Sequence, residues 1–194
     1  MEKRGALFLS RIHPVKGLDV LISAWSRIWV NFPDWILVVA GDGDPGCLAE
    51  ILESVKKLGM ESSVIFTGAV HGDDKEALYA RAELFVLPSH SENFGLAVAE
   101  ALAHKLPVIT TKGTPWAILV EKGCGWWTDL GIQPLASTLQ EALGTSPGEL
   151  SRMGSLGREC VRQNFSMEAN GSAALKMYEW VLGREPQPDF IQSA

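Results

Sequence analysis

"ALFLSRIHPVKGLDVLI", Ala6 to Ile22, carries the argument for the fold. Its first four residues form an apolar run too short for a helix and suited to a strand buried on both faces. From Leu18 the pattern changes: Leu18, Leu21, Ile22, Trp25, Ile28 and Trp29 recur at helical spacing, which predicts a helix over 18–30, closed by Asn31-Phe32-Pro33-Asp34. Between strand and helix lies a short loop with Arg11, Pro14, Lys16 and Gly17. A strand that hands over to a helix through a tight loop is half of a βαβ unit.

The same unit recurs down the chain. Strands are predicted over 35–40, 64–66, 84–87, 107–110 and 124–128, and helices over 47–58, 73–81, 95–104, 135–143, 147–163 and 167–182. Gly59 is placed to end the second helix as a left-handed cap, and Asp73 or Asp74 to open the third. Short strands alternating with such helices give an α/β fold. It is a single Rossmann-like domain, with a parallel sheet of about six strands, helices on both faces and ligand sites at the carboxyl ends of the strands. The domain runs over 1–183; residues 184–194, with two prolines and little apolar material, read as a loose tail.

Bulk properties narrow the function. No apolar stretch approaches the roughly 20 residues that cross a bilayer. The opening "MEKRGALFLS" mimics a secretory signal, but its apolar run is short and meets Arg11 at once. A net charge of −6 with no basic block argues against nucleic acid as a partner. Cys47, Cys124 and Cys160 form no C-x-x-C pair for zinc or redox chemistry, and a reducing, cytoplasmic location is the expectation.

A competing motif lies in "VVAGDGDPG", Val38 to Gly46, where Gly41, Gly43 and Gly46 spell G-x-G-x-x-G after an apolar run. A nicotinamide-dinucleotide-dependent oxidoreductase would carry this fingerprint in its first turn, with an acidic residue about 20 positions on for the ribose. Here it follows the second strand, Asp42 and Asp44 would set negative charge beside a diphosphate, and Pro45 removes one amide. Glu61, at the right distance, precedes the third strand instead of ending it. The other reading is a tight turn whose glycines supply positive φ, with Pro45 in the first turn of a helix and both aspartates away from any diphosphate.

Two other turns offer better chemistry. Arg11 and Lys16, five residues apart, combine a fixed fork with a mobile point charge and suit a diphosphate shared between them; alternatively both are solvated surface cations. The turn "LPSHSENFGLAVAE" holds Glu92 and Glu100 around Asn93-Phe94-Gly95. A helix starting near Gly95 aims free amides and its positive dipole end into the crevice, while the two carboxylates suit hydroxyl groups of a sugar ring and a ribose. In the blander reading Glu92 only complements the dipole and Glu100 is a polar spot on the helix. Yet Glu100 sits among Ala99, Ala101, Leu102 and Ala103, and a carboxylate there needs a partner.

Together these segments resemble the donor-binding, C-terminal domain of GT-B glycosyltransferases, in particular the retaining family 4, whose pattern of a Glu, seven residues and a Glu appears here as "ENFGLAVAE". The resemblance runs over 7–182 and includes "SRIHPVKGLDVLI", "LVVAGDGDPG", "VIFTGAV" and "AELFVLPSHSENFG". It implies transfer of a sugar from a UDP-, GDP- or ADP-sugar to a hydroxyl acceptor, with no cofactor and no metal. Arg11 and Lys16 would hold the diphosphate and stabilise its departure, and Glu92 would meet the sugar hydroxyls. Amides around Asn93, Phe94, Gly95 and Leu96 would meet sugar and distal phosphate, Glu100 the ribose, and the 68–71 loop the base. Catalytic roles thus fall to Glu92, Arg11 and Lys16.

The stretch "TKGTPWAILVEKGCGWWTD" is similar to family members linked to lipopolysaccharide and other surface polysaccharides of bacteria. Lys105 stands where many relatives have Gly, and Ala117 where close relatives carry an acidic residue after Pro-Trp. The resemblance also implies a missing N-terminal acceptor domain, so that this chain alone binds the donor without transferring it. Any peripheral contact with the inner face of a membrane would pass through that missing domain. The helix over 167–182 resembles the one that crosses back to it. A noncatalytic nucleotide-binding module is the third reading.

Overall fold

In the computed structural model, which describes residues 3–191, β1 (Arg4–Leu9) pairs in parallel with β2 (Trp35–Ala40) along its whole length, Arg4 opposite Trp35 and Leu9 opposite Ala40. β3 (Val64–Gly68) extends the sheet beyond β2, and β4 (Leu84–Leu87), β5 (Val108–Thr111) and β6 (Gly125–Thr128) extend it on the other side of β1. The order is β3-β2-β1-β4-β5-β6, and every pair is parallel. The chain therefore winds outward from β1, returns to β4 and winds the other way. Right-handed crossovers then place the helices of the two halves on opposite faces, leaving a crevice between the carboxyl ends of β1 and β4. The predicted α/β architecture, six strands included, is the one observed.

Burial on both faces explains the apolar runs: β4 and β5 are buried at every residue. On one face α1 (Leu18–Trp25) packs against α2 (Pro45–Lys57) and α6 (Ile132–Gly144); on the other α4 (Leu96–Ala103) packs against α7 (Pro147–Asn164). α3 (Gly72–Arg81) touches β1. α8 (Met167–Val181) closes the chain without burying a single residue, exposing Met167, Leu175, Tyr178 and Val181. Of the expected tail, residues 184–191 are described, with Gln187 Nε2 donating to the Ile191 carbonyl at 2.8 Å; the rest lies outside the described residues. Among the described residues no helix is long and apolar enough to cross a membrane.

Three local expectations are corrected. The first helix stops at Trp25, because the chain tightens into three-residue bonds, Arg27 N–H to Ala24 and Ile28 N–H to Trp25, before a 3-10 turn at Trp29–Asn31. That tightening buries Ile28 beneath Trp25's layer instead of continuing the helix. Neither Asp73 nor Asp74 caps α3: His71 is the N-cap residue, and both aspartates lie in the first turn, where their charge favours the helix dipole. A one-turn helix, α5 (Ile118–Glu121), lies between the fifth and sixth strands, where no element is predicted.

The glycine fingerprint has a structural explanation. Ile12 N–H donates to the Asp42 carbonyl at 2.7 Å, and Asp44 N–H to the Ile12 carbonyl at 3.3 Å, so the turn after β2 lies directly on the turn after β1. A Cβ on Gly41 would collide with the Ser10 carbonyl, and one on Gly43 with that of Ile12. Both glycines are therefore required by a close approach of chain to chain.

Candidate functional site

Three turns meet at the crevice. His90 N–H donates to the Val15 carbonyl at 2.8 Å, joining the turn after β4 to the turn after β1. Glu92 N–H donates to the Gly113 carbonyl at 3.1 Å, and the Thr111 hydroxyl to the Ser89 carbonyl, joining it to the turn after β5. These bonds hold backbone that would otherwise be free loop.

Lys16, Glu92 and the 93–96 turn come together here, while Arg11 and Glu100 lie outside this group. Lys16 Nζ reaches Glu92 Oε1 at 2.5 Å, and the buried Ser89 hydroxyl donates to the same oxygen at 2.8 Å. The pair is largely sheltered, with side-chain exposures of 18% for Lys16 and 11% for Glu92. A lysine assigned to phosphate and a glutamate assigned to sugar are thus each other's partners. An incoming diphosphate would meet a cation whose neighbour can be released to hydroxyl groups. Glu92, Asn93, Phe94, Gly95 and Leu96 line, with Val15 and Ser91, an open pocket of about 470 Å³. Arg11 is exposed nearby in sequence and makes no hydrogen bond or ion pair among the described residues.

The helix behind this pocket begins without a cap. Gly95 is its N-cap residue at φ +84° and has no side chain to offer the helix. The first helical bonds are those of Val98 and Ala99 to the Gly95 carbonyl, so the amides of Gly95, Leu96 and Ala97 are unused by the helix. Such an end favours an anion.

Glu100 lies on α4, one turn further in. The partner its apolar surroundings demanded comes from α3: Lys75 Nζ at 2.7 Å from Oε1 and the Tyr79 hydroxyl at 2.9 Å from Oε2. Tyr79 is buried and stacked on His104 with ring centroids 4.7 Å apart. Burial, and then the adjacent Glu100 carboxylate, push its hydroxyl pKa well above the ordinary tyrosine value, so it remains a donor. With 41% of its side chain exposed, Glu100 keeps lone pairs for a diol. Lys75 and Tyr79, four apart on one helix face, escaped the sequence reading because nothing local shows that this face meets α4. The 68–71 loop leads straight into the same helix.

The turn after β2 contributes none of this. Asp44 accepts from Cys47 N–H at 2.9 Å as the N-cap of α2, and Asp42 is exposed. A larger cavity, about 610 Å³, lies over β1, β2 and β3 beside α3. Its lining mixes Leu7, Ile36, Val38, Ile65 and Leu78 with the charged Lys3, Arg4, Arg81 and Glu83, and it lies away from the carboxyl-end turns after β1 and β4, so we place the site at the switch point.

Sheet order, switch point and the polar crevice define a Rossmann-like domain of the GT-B kind. The chain belongs to the group 1 glycosyltransferases, whose family model, Glycosyl transferases group 1, matches residues 1–159. It is 30% identical over 179 residues to the D-inositol 3-phosphate glycosyltransferase of Segniliparus rotundus, a match that covers 90% of this chain and 39% of that protein. Among solved structures it is similar to the C-terminal domain of LpcC, a group 1 family glycosyl transferase from Francisella tularensis. That match has a TM-score of 0.75 at 28% identity and covers 86% of this chain and 88% of that one. It is also similar to HepE of Anabaena in complex with UDP and glucose, with a TM-score of 0.78 at 25% identity, covering 91% of this chain and 48% of that one. The chain thus spans well under half the length of the curated relative, which is the longer protein.

Proposed function

We propose that the crevice is the nucleotide-sugar donor site of a retaining glycosyltransferase that moves a sugar from a UDP-, GDP- or ADP-sugar to a hydroxyl acceptor. The observation that carries this is the ion pair of Lys16 with Glu92, a residue that lines one pocket together with the uncapped start of α4 at the β1/β4 switch point. Arg11 and Lys16 hold the diphosphate, and Lys16 exchanges Glu92 for phosphate oxygen as the donor enters. Glu92, released, accepts from sugar hydroxyls, while the amides of Gly95 and Leu96 meet the distal phosphate. Glu100 takes the ribose. In this arrangement the leaving diphosphate is stabilised on the face from which it departs, as retention by front-face departure requires. The likeness to a protein solved with UDP and glucose supports the donor class.

The acceptor, and transfer itself, belong in this reading to an N-terminal domain outside these 194 residues. The greater length of the relatives and the exposed apolar residues of α8 support it. We place the parent reaction at the cytoplasmic side, in bacterial surface polysaccharide or lipopolysaccharide synthesis, on the strength of the 111–129 stretch. The test is calorimetry with UDP, GDP and ADP on the wild type and on the Arg11→Ala/Lys16→Ala double variant. Loss of two charge-assisted contacts should cost more than about 2 kcal/mol, roughly 30-fold in affinity. A double variant within twofold of wild type removes the proposed site.

A further inference from the structure

We infer that Trp116 is a positioning residue of this pocket: its indole N–H holds the Phe94 carbonyl from behind and so turns the Gly95 amide toward the bound ligand. This rests on the reading of Asn93 to Leu96 as the cradle for distal phosphate and sugar. Trp116 is 1% exposed and lies on the turn between β5 and α5. Its Nε1 is 2.5 Å from the Phe94 oxygen. The carbonyl and the N–H of one trans peptide point in opposite directions. The Phe94–Gly95 peptide is trans, so an oxygen fixed on Trp116 sends the Gly95 N–H away from the indole. Gly95 lines the pocket with Glu92, Asn93 and Leu96.

Two further features show that the geometry is held from several sides. Gly95 has φ +84°, which strains any other residue, and a Cβ there would stand a tight 3.3 Å from Trp116 Nε1, so glycine lets the indole and the turn close on each other without strain. The turn that carries Trp116 grips the 89–94 loop at three points: the Ser89 carbonyl through Thr111, the Glu92 amide through Gly113, and the Phe94 carbonyl through Trp116. Trp127 braces that turn in its turn, its Nε1 donating to the Thr114 carbonyl at 3.1 Å. The Trp116 ring also packs on Phe94 and on Phe165 at the α7–α8 junction, with centroids 5.3 and 5.2 Å away. Packing and the N–H bond are separable contributions, and only the second sets the direction of a peptide plane.

Trp116→Phe in the full 194-residue chain keeps an aromatic ring and removes the donor. Hydrogen exchange of the Glu92 and Val98 amides, which donate to the Gly113 and Gly95 carbonyls on either side of this peptide, should accelerate about tenfold while the strand amides of β1 and β4 keep their rates. Affinity for UDP should fall about tenfold and affinity for UMP by less than twofold, because only the diphosphate reaches the Gly95 amide. Phe165→Leu, which thins the cluster but leaves the bond, should leave the UDP/UMP ratio within twofold of wild type. Gly95→Ala, which pushes the loop off the indole, should reproduce the Trp116→Phe pattern and serves if that variant fails to fold. An unchanged UDP/UMP ratio in Trp116→Phe, or the same shift in Phe165→Leu, overturns the inference. A wild type that binds neither nucleotide sinks the donor-site reading instead. The exchange rates of the bonded Glu92 and Val98 amides then decide the positioning by themselves, and unchanged rates overturn it.

Discussion

Of the turns that end at the amino end of a helix, those after β2 and β4 differ in what they leave for an anion. The turn after β2 spells the better-known motif, but its capacity is used internally: Asp44 accepts from Cys47 N–H, Pro45 has no N–H, and Gly41 and Gly43 lie against Ser10 and Ile12. The turn after β4 has no such spelling, yet α4 begins uncapped, with the amides of Gly95, Leu96 and Ala97 unused and Lys16 alongside Glu92. What makes an anion site is the set of donors left over after the fold has satisfied itself. Glycine spacing alone does not record that.

Breaking the first turn should therefore damage the fold and leave ligand choice alone. Gly43→Val drives a branched side chain into the Ile12 carbonyl, and we expect a loss of about 3 kcal/mol or more in urea unfolding. A smaller effect sharpens the contrast: Asp44→Ala removes the cap of α2 and should cost about 1 kcal/mol while nucleoside diphosphate affinity stays within twofold. If Asp44→Ala instead changes that affinity strongly in calorimetry, the turn after β2 is part of the site and the contrast fails.

The layout of the sheet was legible because strands buried on both faces carry short apolar runs, as at 84–87; β5 shows the pattern less strictly, ending one residue later than expected on the buried Thr110 and Thr111. The cations, the two glutamates and the start of α4 were legible from their position at strand ends. The meeting of Lys16 with Glu92 was not, since 76 residues separate them and only the return of the chain from β3 to β4 makes them neighbours. The same holds for Lys75 and Tyr79 against Glu100. Helix ends were misjudged where tertiary packing overrode the repeat, as at Trp25 and Ile28. Lys105 shows the converse. Its φ of +62° in the Schellman turn that ends α4, with Leu106 N–H to Ala101 and Lys105 N–H to Leu102, is a conformation that favours glycine.

The central claim is that phosphate meets the start of α4 and not the start of α2. Amide NMR of the ¹⁵N-labelled chain titrated with UDP, GDP or ADP tests it directly. The account expects the largest shifts at Gly95, Leu96 and Ala97 with Gly43 and Gly46 nearly still; large shifts at Gly43 and Gly46 with α4 unmoved would contradict it.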